Sequence, residues 1–385
     1  MRIAIDATSV PPKPAGAGVY AIELVRALAE RDRRDGYALF TRNPAFDPIT
    51  AGHRNWRVEH LARSRVGRLA WEQFRLPGRL DALGIDVLHS THHTLPLRPL
   101  RARRAVTVHD VTFFRIPGRY PTLRRFYFQA ITRLSARAAN AVIVPSNTVR
   151  DDVVRALCIP GDKVHTVYEA AGPQYRPIDR AEAAAVARRY GIEGDYVLSV
   201  GSLEPGKNRA RLFRALAALR DEGVAPTLVV VGQRAWHFED DFALVDRLGL
   251  RGQVRFLDYV PAEDLPALYN AAAVFAFPSL YEGFGLPVME AMACGVPVLT
   301  SSASATAEVA GGAAVLVDPH DTDAIRDGLR ELLADPLLRE HFARRGLDRA
   351  SQFSWARAAG ETHAVYERVL LGIPAEGRRE AARTP

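Results

Sequence analysis

The sequence predicts a doubly wound α/β protein with two similar domains, because short apolar strands and longer helices alternate along the chain, and the alternation occurs twice. The predicted strands are continuous runs of Val, Ile and Leu, which is typical of parallel sheets covered on both faces. The chain has 385 residues. Single hydrophobic cores stop growing at about 250–300 residues, so this length also favours two domains.

Six strands are predicted in each half of the chain. Those of the first half are Arg2–Ala7, Tyr37–Thr41, Asp86–His89, Ala105–His109, Ala141–Val144 and Val164–Tyr168. Those of the second half are Tyr196–Gly201, Thr227–Gly232, Val254–Leu257, Val274–Phe277, Pro297–Thr300 and Ala314–Val317. Helices are predicted between them, among them Tyr20–Glu30 and Arg209–Leu219, and a last helix is predicted over Phe353–Leu371.

The domain boundary is predicted in the Gly- and Pro-containing loop Glu169–Ile178. The expected division is a first domain over 1–172, a second over 173–352, the helix 353–371 and a frayed tail over 372–385. Ligands of open α/β sheets bind at the carboxyl ends of the strands. The site is therefore expected in a cleft between the two domains as they face each other.

The charge is unevenly distributed between the two halves. Residues 1–178 hold 28 Lys and Arg against 15 Asp and Glu, whereas residues 179–385 hold 23 against 29. A basic half suggests an anionic partner. Nucleic acid is disfavoured, since no RNP-type or helix-turn-helix signature is present. A phosphorylated substrate and a phospholipid surface remain.

The composition favours a cytoplasmic protein. Two cysteines, Cys158 and Cys294, make no disulfide framework and fit a reducing compartment. The first residues, Met1–Ala7, place an Asp where a signal peptide needs an apolar core. No apolar run approaches the ~18 residues that a membrane-spanning helix requires.

The segment Pro278–Pro297 (PSLYEGFGLPVMEAMACGVP) is the most specific one in the sequence. It follows a predicted strand, turns through two glycines and enters a helix at Pro287, where a proline is well tolerated. The turn is expected to present the backbone N–H groups of Phe284, Gly285 and Leu286 to a ligand. Such groups bind anionic or hydroxyl-rich molecules.

Two carboxylates flank this turn. Glu282 lies before it and Glu290 lies in the helix after it. Two carboxylates are unusual beside a pure phosphate site, but they accept paired O–H donors strongly, so the pattern favours a sugar as part of the ligand. The alternative, a capping residue and a solvated helix residue, is disfavoured by the rest of the segment.

Two further loops follow predicted strands. Gly201–Asn208 (GSLEPGKN) carries Lys207 just before a helix, where an ammonium group and the helix N-terminus can neutralise a diphosphate. A surface lysine is the alternative, and the spacing is not that of a Walker loop. Pro14–Tyr20 (PAGAGVY) carries Gly18, which either lets backbone approach a ligand or forms a simple turn.

Histidines follow two of the predicted strands. His109 ends the strand AVTVH, where its imidazole can donate to a substrate oxygen, although a structural role is the default for a lone histidine. His89, His92 and His93 cluster without the spacing of a zinc motif. The pair Asp321 and Asp323 precedes a helix and is interpreted as a cap. No metal site is predicted.

The basic segment Arg115–Arg137 contains an amphipathic pattern. Phe126, Ala130, Ile131 and Leu134 share one helical face, with arginines beside it. This face either lies on an anionic membrane or packs into the protein as an ordinary buried face.

Taken together and in this order, these segments resemble the family-four retaining glycosyltransferases of the GT-B fold. The resemblance is most specific from YVLSVGSLEPGKN through FPSLYEGFGLPVMEAMACGVPV to AEVAGGAAVLVDP. It is looser in the first half, where PAGAGVY, WEQFRLP, VHD and VPSNT match. The segment FSWARAA looks like the family's C-terminal helix, which crosses back to the first domain.

The resemblance implies a role for each candidate residue. Glu290 would hold the ribose hydroxyls of a nucleotide diphosphate sugar, and Glu282 with the amides of Phe284, Gly285 and Leu286 would hold its sugar. Lys207, aided by the Gly18 backbone, would neutralise the diphosphate. His109 would approach the sugar near the reacting carbon.

The resemblance also implies an activity: a metal-independent, retaining hexosyltransferase of polysaccharide biosynthesis, with the nucleotide sugar as co-substrate and no other cofactor. The acceptor would be a glycan or a lipid-linked saccharide bound by the first domain, with peripheral association at the inner face of a membrane. Mannosyltransferase-like relatives favour GDP-mannose as donor. A nucleotide-sugar epimerase and an inactive nucleotide-sugar-binding protein of the same fold are the alternatives.

Two positions depart from the pattern of those relatives. Gly206 stands where the loop commonly carries an arginine, and Ser202 stands where some relatives place another. Lys207 is then the side chain expected to carry the diphosphate.

Overall fold

A computed structural model describes residues 1–61, 65–116, 121–235 and 238–373 of the chain. They form two compact units. The first is Met1–Glu169 together with the segment that begins at Trp355, and the second is Ala170–Ser354. The division thus falls three residues before the expected boundary. Of the tail expected to be frayed, 372–385, the residues from 374 onward lie outside the described residues.

The first unit contains a seven-stranded parallel sheet of order β3-β2-β1-β4-β5-β6-β7. Its strands are β1 (Arg2–Ala7), β2 (Gly36–Thr41), β3 (Trp56–His60), β4 (Val87–Ser90), β5 (Arg103–Thr107), β6 (Ala141–Val144) and β7 (Val164–Thr166). The helices that precede β7 along the chain are α1 (Ala17–Arg31), α2 (Asp47–Thr50), α3 (Arg65–Phe74), α4 (Leu76–Leu83), α5 (Thr112–Arg115), α6 (Thr122–Ala138) and α7 (Asn147–Leu157).

The second unit contains a six-stranded parallel sheet of order β10-β9-β8-β11-β12-β13. Its strands are β8 (Tyr196–Val200), β9 (Thr227–Val231), β10 (Val254–Phe256), β11 (Val274–Phe277), β12 (Val298–Ser301) and β13 (Val315–Val317). Its helices are α8 (Arg180–Arg189), α9 (Arg209–Asp221), α10 (Phe238–Arg247), α11 (Leu265–Ala271), α12 (Leu286–Ala293), α13 (Ser304–Ala310), α14 (Thr322–Ala334) and α15 (Pro336–Ala350).

Each sheet is covered on both faces by apolar side chains. In the second unit, one face packs around Leu198, Phe275 and Val298, and the other around Val197, Phe213 and Leu299. Adjacent residues of one strand thus point into opposite halves of the core, which explains why these strands are apolar throughout. The predicted α/β class, with two doubly wound parallel sheets, is confirmed.

One strand was not predicted. Trp56–His60 pairs in parallel with β2 at the edge of the first sheet, and most of its side chains are partly or fully exposed. An edge strand needs no continuous apolar run, so the sequence WRVEH carries little strand signal.

The last helix of the described chain, α16 (Trp355–Leu371), packs on the first unit rather than on the second, to which it is adjacent in sequence. The hydroxyl of Tyr366 lies 2.7 Å from Nδ1 of the buried His89. His363 Nε2 lies 2.7 Å from Asp35 and 3.3 Å from Asp32, at the end of α1. The contact of Tyr366 with His89 on β4 and those of His363 with the turn after α1 therefore hold this helix on the first unit.

None of the helices in the described segments combines the length and the apolar character needed to cross a membrane.

Candidate functional site

Two loops at the carboxyl edge of the second sheet are held against each other. The loop after β8 ends in Lys207, and the loop after β11 begins at Pro278. The N–H of Leu280 and the hydroxyl of Ser279 both donate to the carbonyl of Gly206, at 3.0 Å each. Asn208 Nδ2 donates to the carbonyl of Pro278 at 2.8 Å. The backbone that carries Lys207 is therefore fixed relative to the glycine turn.

Lys207 and Glu282 form an ion pair across these loops. Nζ of Lys207 lies 2.6 Å from Oε1 of Glu282, with only 17% and 14% of the two side chains exposed. The single proton of Ser279 Oγ is shared between the Gly206 carbonyl and Glu282 Oε1, which lies 2.5 Å away, and the Lys207 ammonium lies 5.2 Å from the centre of the Phe277 ring. The structure thus brings together two residues that the sequence singled out 75 positions apart, and a hydroxyl that it missed.

The glycine turn after β11 has the backbone that the sequence indicated. Gly285 has a φ of +96°, a left-handed conformation that L side chains rarely adopt, and a Cβ there would lie 3.0 Å from Cγ2 of Thr306. Helix α12 begins at the next residue, Leu286, one position before Pro287. Among the described residues, no acceptor is recorded for the N–H groups of Gly285 and Leu286, which leaves them for a ligand.

Glu290 lies on α12 and is buried at this edge. Tyr269 on α11 donates its hydroxyl to Glu290 Oε2 at 2.9 Å. Burial raises the pKa of Glu290 to about 7, although hydrogen bonds from Tyr269 and Tyr175 act in the opposite direction. A buried carboxylate of this kind gains from further O–H donors, which the two hydroxyls of a ribose can supply.

In the first unit, the glycine loop is shorter than predicted. Helix α1 begins at Ala17 rather than Tyr20, so Gly18 belongs to its first turn and donates its N–H to the carbonyl of Ala15 at 3.0 Å. A Cβ at Gly18 would lie 3.0 Å from Cβ of Pro14. Close packing therefore already accounts for this glycine, and a role in binding diphosphate stays a prediction.

His109 lies two residues beyond the end of β5. Its Nε2 is 2.9 Å from the carbonyl of Thr91, so this nitrogen carries a proton and donates it there. Its Nδ1 is 3.6 Å from Glu169, and its ring packs edge-on against Tyr20. The ring orientation is thus fixed by protein groups, with Nδ1 beside a carboxylate that the sequence analysis did not single out.

Two of the clustered histidines, His89 and His92, occupy different environments. His89 is buried between Tyr366 and Thr107, and burial lowers its pKa to about 3, so it is a neutral core residue. His92 Nε2 accepts from Arg68 at 2.8 Å, and the same Nη1 of Arg68 donates to Glu72 at 2.7 Å. Glu72, from the WEQFRLP segment, therefore lies in a buried cluster with Arg68 and His92.

The interpretation of Asp321 as a cap is confirmed. Its Oδ1 accepts the N–H groups of Asp323 at 2.8 Å and Ala324 at 3.1 Å, at the beginning of α14. The carboxylate is therefore already used by the helix N-terminus.

The amphipathic helix α6 exposes its apolar face, so the reading of an ordinary buried face is wrong. The residues that α6 buries are Thr132, Ser135 and Ala136. Leu123, Phe126 and Leu134, by contrast, are 85%, 62% and 49% exposed. Large apolar side chains exposed together on one helix mark an interaction surface rather than a core.

Two family models match this chain. Residues 14–171 match Glycosyltransferase Family 4, and residues 188–349 match Glycosyl transferases group 1. Each match falls within one of the two units, apart from the few residues at their border.

The chain is similar over most of its length to characterised bacterial proteins. It is 34% identical over 372 residues to O-antigen chain mannosyltransferase B of Escherichia coli, which covers 91% of this chain and 96% of that protein. It is 39% identical over 401 residues to D-inositol 3-phosphate glycosyltransferase of Salinispora arenicola, with 91% of this chain and 86% of that protein covered.

Solved structures share the fold. Sucrose-phosphate synthase of Thermosynechococcus elongatus has a TM-score of 0.80 at 20% identity, covering 96% of this chain and 99% of that one. HepE of Anabaena, in complex with UDP-glucose, has a TM-score of 0.73 at 19% identity, covering 97% and 99%. The chain therefore belongs to the family-four glycosyltransferases, and its two parallel-sheet units are the two domains of the GT-B fold.

Proposed function

We propose that this glycosyltransferase transfers a hexose, with retention of configuration, from a nucleotide diphosphate sugar to a hydroxyl of a glycan chain. The observation that carries the proposal is the edge of the second sheet, where the Lys207–Glu282 pair, the glycine turn and Glu290 lie on adjoining loops and helices. One cation, outward amides and two carboxylates suit a ligand that is part diphosphate and part polyol.

Each group has a distinct part in binding the donor. Glu290 accepts hydrogen bonds from the ribose hydroxyls, and Lys207 approaches the diphosphate. Glu282 holds the Lys207 ammonium and accepts from hydroxyls of the sugar. The N–H groups of Gly285 and Leu286, with that of Phe284, bind the sugar or the adjoining phosphate.

Catalysis rests on stabilising the departing diphosphate. Negative charge grows on the diphosphate as the glycosidic bond breaks, and a fixed ammonium group with backbone amides lowers the barrier at that point. The acceptor hydroxyl attacks on the same face and passes its proton to the departing phosphate oxygen, so no protein carboxylate pair of the kind that glycosidases use is required. For His109 the proposal is that Nδ1 accepts a hydrogen bond from a substrate hydroxyl, because Nε2 already donates to the carbonyl of Thr91.

GDP-mannose is the proposed donor and a growing surface polysaccharide the proposed acceptor. This finer assignment is supported by the similarity to an O-antigen chain mannosyltransferase over nearly the full length of both chains. Transfer is expected to continue in the presence of a chelator, because in this proposal Lys207 and the backbone amides, rather than a metal ion, neutralise the diphosphate.

The test is a transfer assay with GDP-mannose and mannose-terminated oligosaccharides, with and without a lipid carrier, read by mass spectrometry and NMR. We expect one hexose to be added, with an α linkage from the α-linked donor. A β-linked product would contradict retention. Donor turnover without any acceptor would instead support the epimerase alternative.

We propose that the first unit, which is expected to bind the acceptor, associates with an anionic membrane surface. The positions Leu123, Tyr127, Ala130 and Leu134 recur at helical spacing on the exposed face of α6, and the exposed Arg124 and Arg137 lie beside that face. A helix with this pattern inserts its apolar side among the lipid headgroups while its arginines attract anionic lipid.

We expect the protein to float with vesicles that contain anionic lipid and to lose most of this binding at high salt. Screening lengths fall from about 10 Å at 0.1 M to about 3 Å at 1 M salt. The double variant Leu123→Ser/Leu134→Ser should reduce flotation strongly without affecting donor binding. Leu337→Ser, an exposed leucine of the second unit, is the matched control. Undiminished flotation of the α6 variant would place the lipid contact elsewhere.

A further inference from the structure

Arg209 is a buried arginine directly behind the loop that carries Lys207. It is the first residue of α9 and is only 2% exposed. Arginine is rarely buried to this extent unless each of its N–H groups has a partner. The sequence analysis predicted a helix that begins at Arg209 but did not single out this residue.

The guanidinium of Arg209 binds backbone carbonyls of that loop. Nη2 donates to the carbonyl of Ser202 at 2.7 Å and to that of Glu204 at 3.4 Å, while Nη1 lies 3.5 Å from the carbonyl of Gly201. Nε donates to Asp241 on α10 at 2.8 Å. One side chain therefore connects three backbone carbonyls of the loop to α10, the next helix of the unit.

The charge of Arg209 is compensated inside the protein. Asp241 is mostly buried as well, and burial raises its pKa even with the arginine beside it. A compensated and inaccessible guanidinium is not a ligand for a phosphate. Its effect on a ligand must pass through the backbone that it holds.

The carbonyls that face Arg209 fix the direction of the neighbouring N–H groups. In a planar trans peptide the carbonyl of one residue and the N–H of the next point in opposite directions. The carbonyl of Gly201 faces the guanidinium, and a Cβ on Gly232 would lie only 1.9 Å from that oxygen, so this peptide is confined from two sides. The N–H of Ser202 consequently points away from the core.

Ser202 has polar groups left for a ligand. The N–H groups on either side of it are used: Gly201 donates to Val231 at 2.8 Å and Leu203 to Gln233 at 2.9 Å. No partner within the described chain is recorded for the N–H or hydroxyl of Ser202. The stem of Lys207 passes close by, with Cε 3.4 Å from the position that a Cβ on Gly201 would take.

We propose that Arg209 is a positioning residue: together with Asp241 it holds the Gly201–Lys207 loop so that the N–H and hydroxyl of Ser202, beside the Lys207 ammonium, receive the terminal phosphate of the donor's diphosphate. The inference rests on the proposed function, because it presupposes a nucleotide diphosphate ligand. In this proposal Ser202 takes part in binding the diphosphate, although a serine has no charge with which to attract a phosphate.

The test compares a nucleoside diphosphate with its monophosphate, using calorimetry on the full chain. The variant Arg209→Met/Asp241→Leu removes both charges and leaves neither partner unpaired. We expect its Kd for GDP to rise about 10-fold or more, as for the loss of a hydrogen bond to a charged group, while its Kd for GMP changes less than about 2-fold. UDP and UMP replace these probes if the wild type prefers uridine.

Two further variants keep the result interpretable. Arg209→Lys retains the ion pair with Asp241 but cannot reach all three carbonyls, so an intermediate loss for GDP is expected even if the double variant folds poorly. Arg339→Met serves as the control, since Arg339 also donates to two carbonyls, those of Leu332 and Leu333 at 2.8 Å each, away from the loop. We expect it to bind both nucleotides as the wild type does.

Equal losses for GDP and GMP would reduce Arg209 to a structural residue and overturn the inference, as would unchanged binding of GDP in both Arg209 variants. A wild-type protein that binds neither nucleotide would instead contradict the proposed function itself.

Discussion

Replacing Lys207 with alanine is expected to lower kcat/KM for the nucleotide sugar about 10²–10³-fold, the loss typical of removing a group that stabilises developing negative charge. The Kd of the donor should rise about 10- to 100-fold, because hydrogen bonds to charged groups contribute about 1.5–3 kcal/mol. Steady-state kinetics and calorimetry measure the two effects. Lys163→Ala, which removes a lysine bound to backbone carbonyls in the first unit, is the control.

The ion pair with Glu282 makes a second measurement informative. Since Nζ of Lys207 and Oε1 of Glu282 are 2.6 Å apart, the effects of Lys207→Ala and Glu282→Ala should not add. Glu282→Ala alone is expected to lower turnover more than nucleotide affinity, because the role proposed for Glu282 is to hold the sugar and to orient the Lys207 ammonium. If Lys207→Ala binds the donor with wild-type affinity, the proposal that the diphosphate binds at this loop is wrong.

Replacing Glu290 with glutamine is expected to weaken donor binding and to abolish its pH dependence. Burial raises the pKa of Glu290 to about 7, so the carboxyl is mainly protonated at pH 6 and mainly ionised at pH 8. Ribose hydroxyls donate best to the ionised form, so the Kd of the wild type should fall about 10-fold between these pH values. Calorimetry with a nucleotide sugar is preferable to free nucleoside diphosphate, whose terminal phosphate itself titrates near pH 6.

The stability of the unliganded protein should show the opposite trend for the same group. The folded-state pKa of Glu290 lies above that of an exposed glutamate, so the unfolded chain binds fewer protons between about pH 4.5 and 7. The Glu290 contribution therefore favours the folded state at low pH and is lost as the pH rises through about 7. In Glu290→Gln this part of the pH dependence of unfolding should vanish, whereas Glu331→Gln, on the exposed side of α14, should keep it. A donor Kd that is flat with pH in the wild type would contradict the assignment of Glu290.

The buried strands and the glycine turn after β11 were predictable because they have strong local signals. Buried parallel strands such as Val274–Phe277 must be apolar on both faces, and the turn that follows needs glycine at position 285. The edge strand Trp56–His60 escaped notice because exposure on its outer side removes that signal.

The contacts that complete the site were not predictable from spacing alone. The Lys207–Glu282 pair joins residues 75 positions apart, and the role of Arg209 depends on carbonyls whose directions follow from the tertiary structure. For α6, residue type was a poor guide to burial, because Ser135 and Ala136 face the core while Phe126 faces solvent. The hydrophobic pattern of a helix shows which of its faces is apolar. Whether that face packs into the core or is exposed depends on the rest of the structure.

A panel of nucleotide sugars, tested by thermal unfolding of the wild-type protein, examines the central claim most directly. A ligand that binds only the folded state stabilises it by RT ln(1 + [L]/Kd), about 2.7 kcal/mol at a concentration 100-fold above Kd. We expect GDP-mannose to raise the midpoint of unfolding, and to do so much less in Lys207→Ala and Glu290→Gln. No shift with any nucleotide sugar of the panel would contradict the claim that the second unit holds a nucleotide diphosphate sugar.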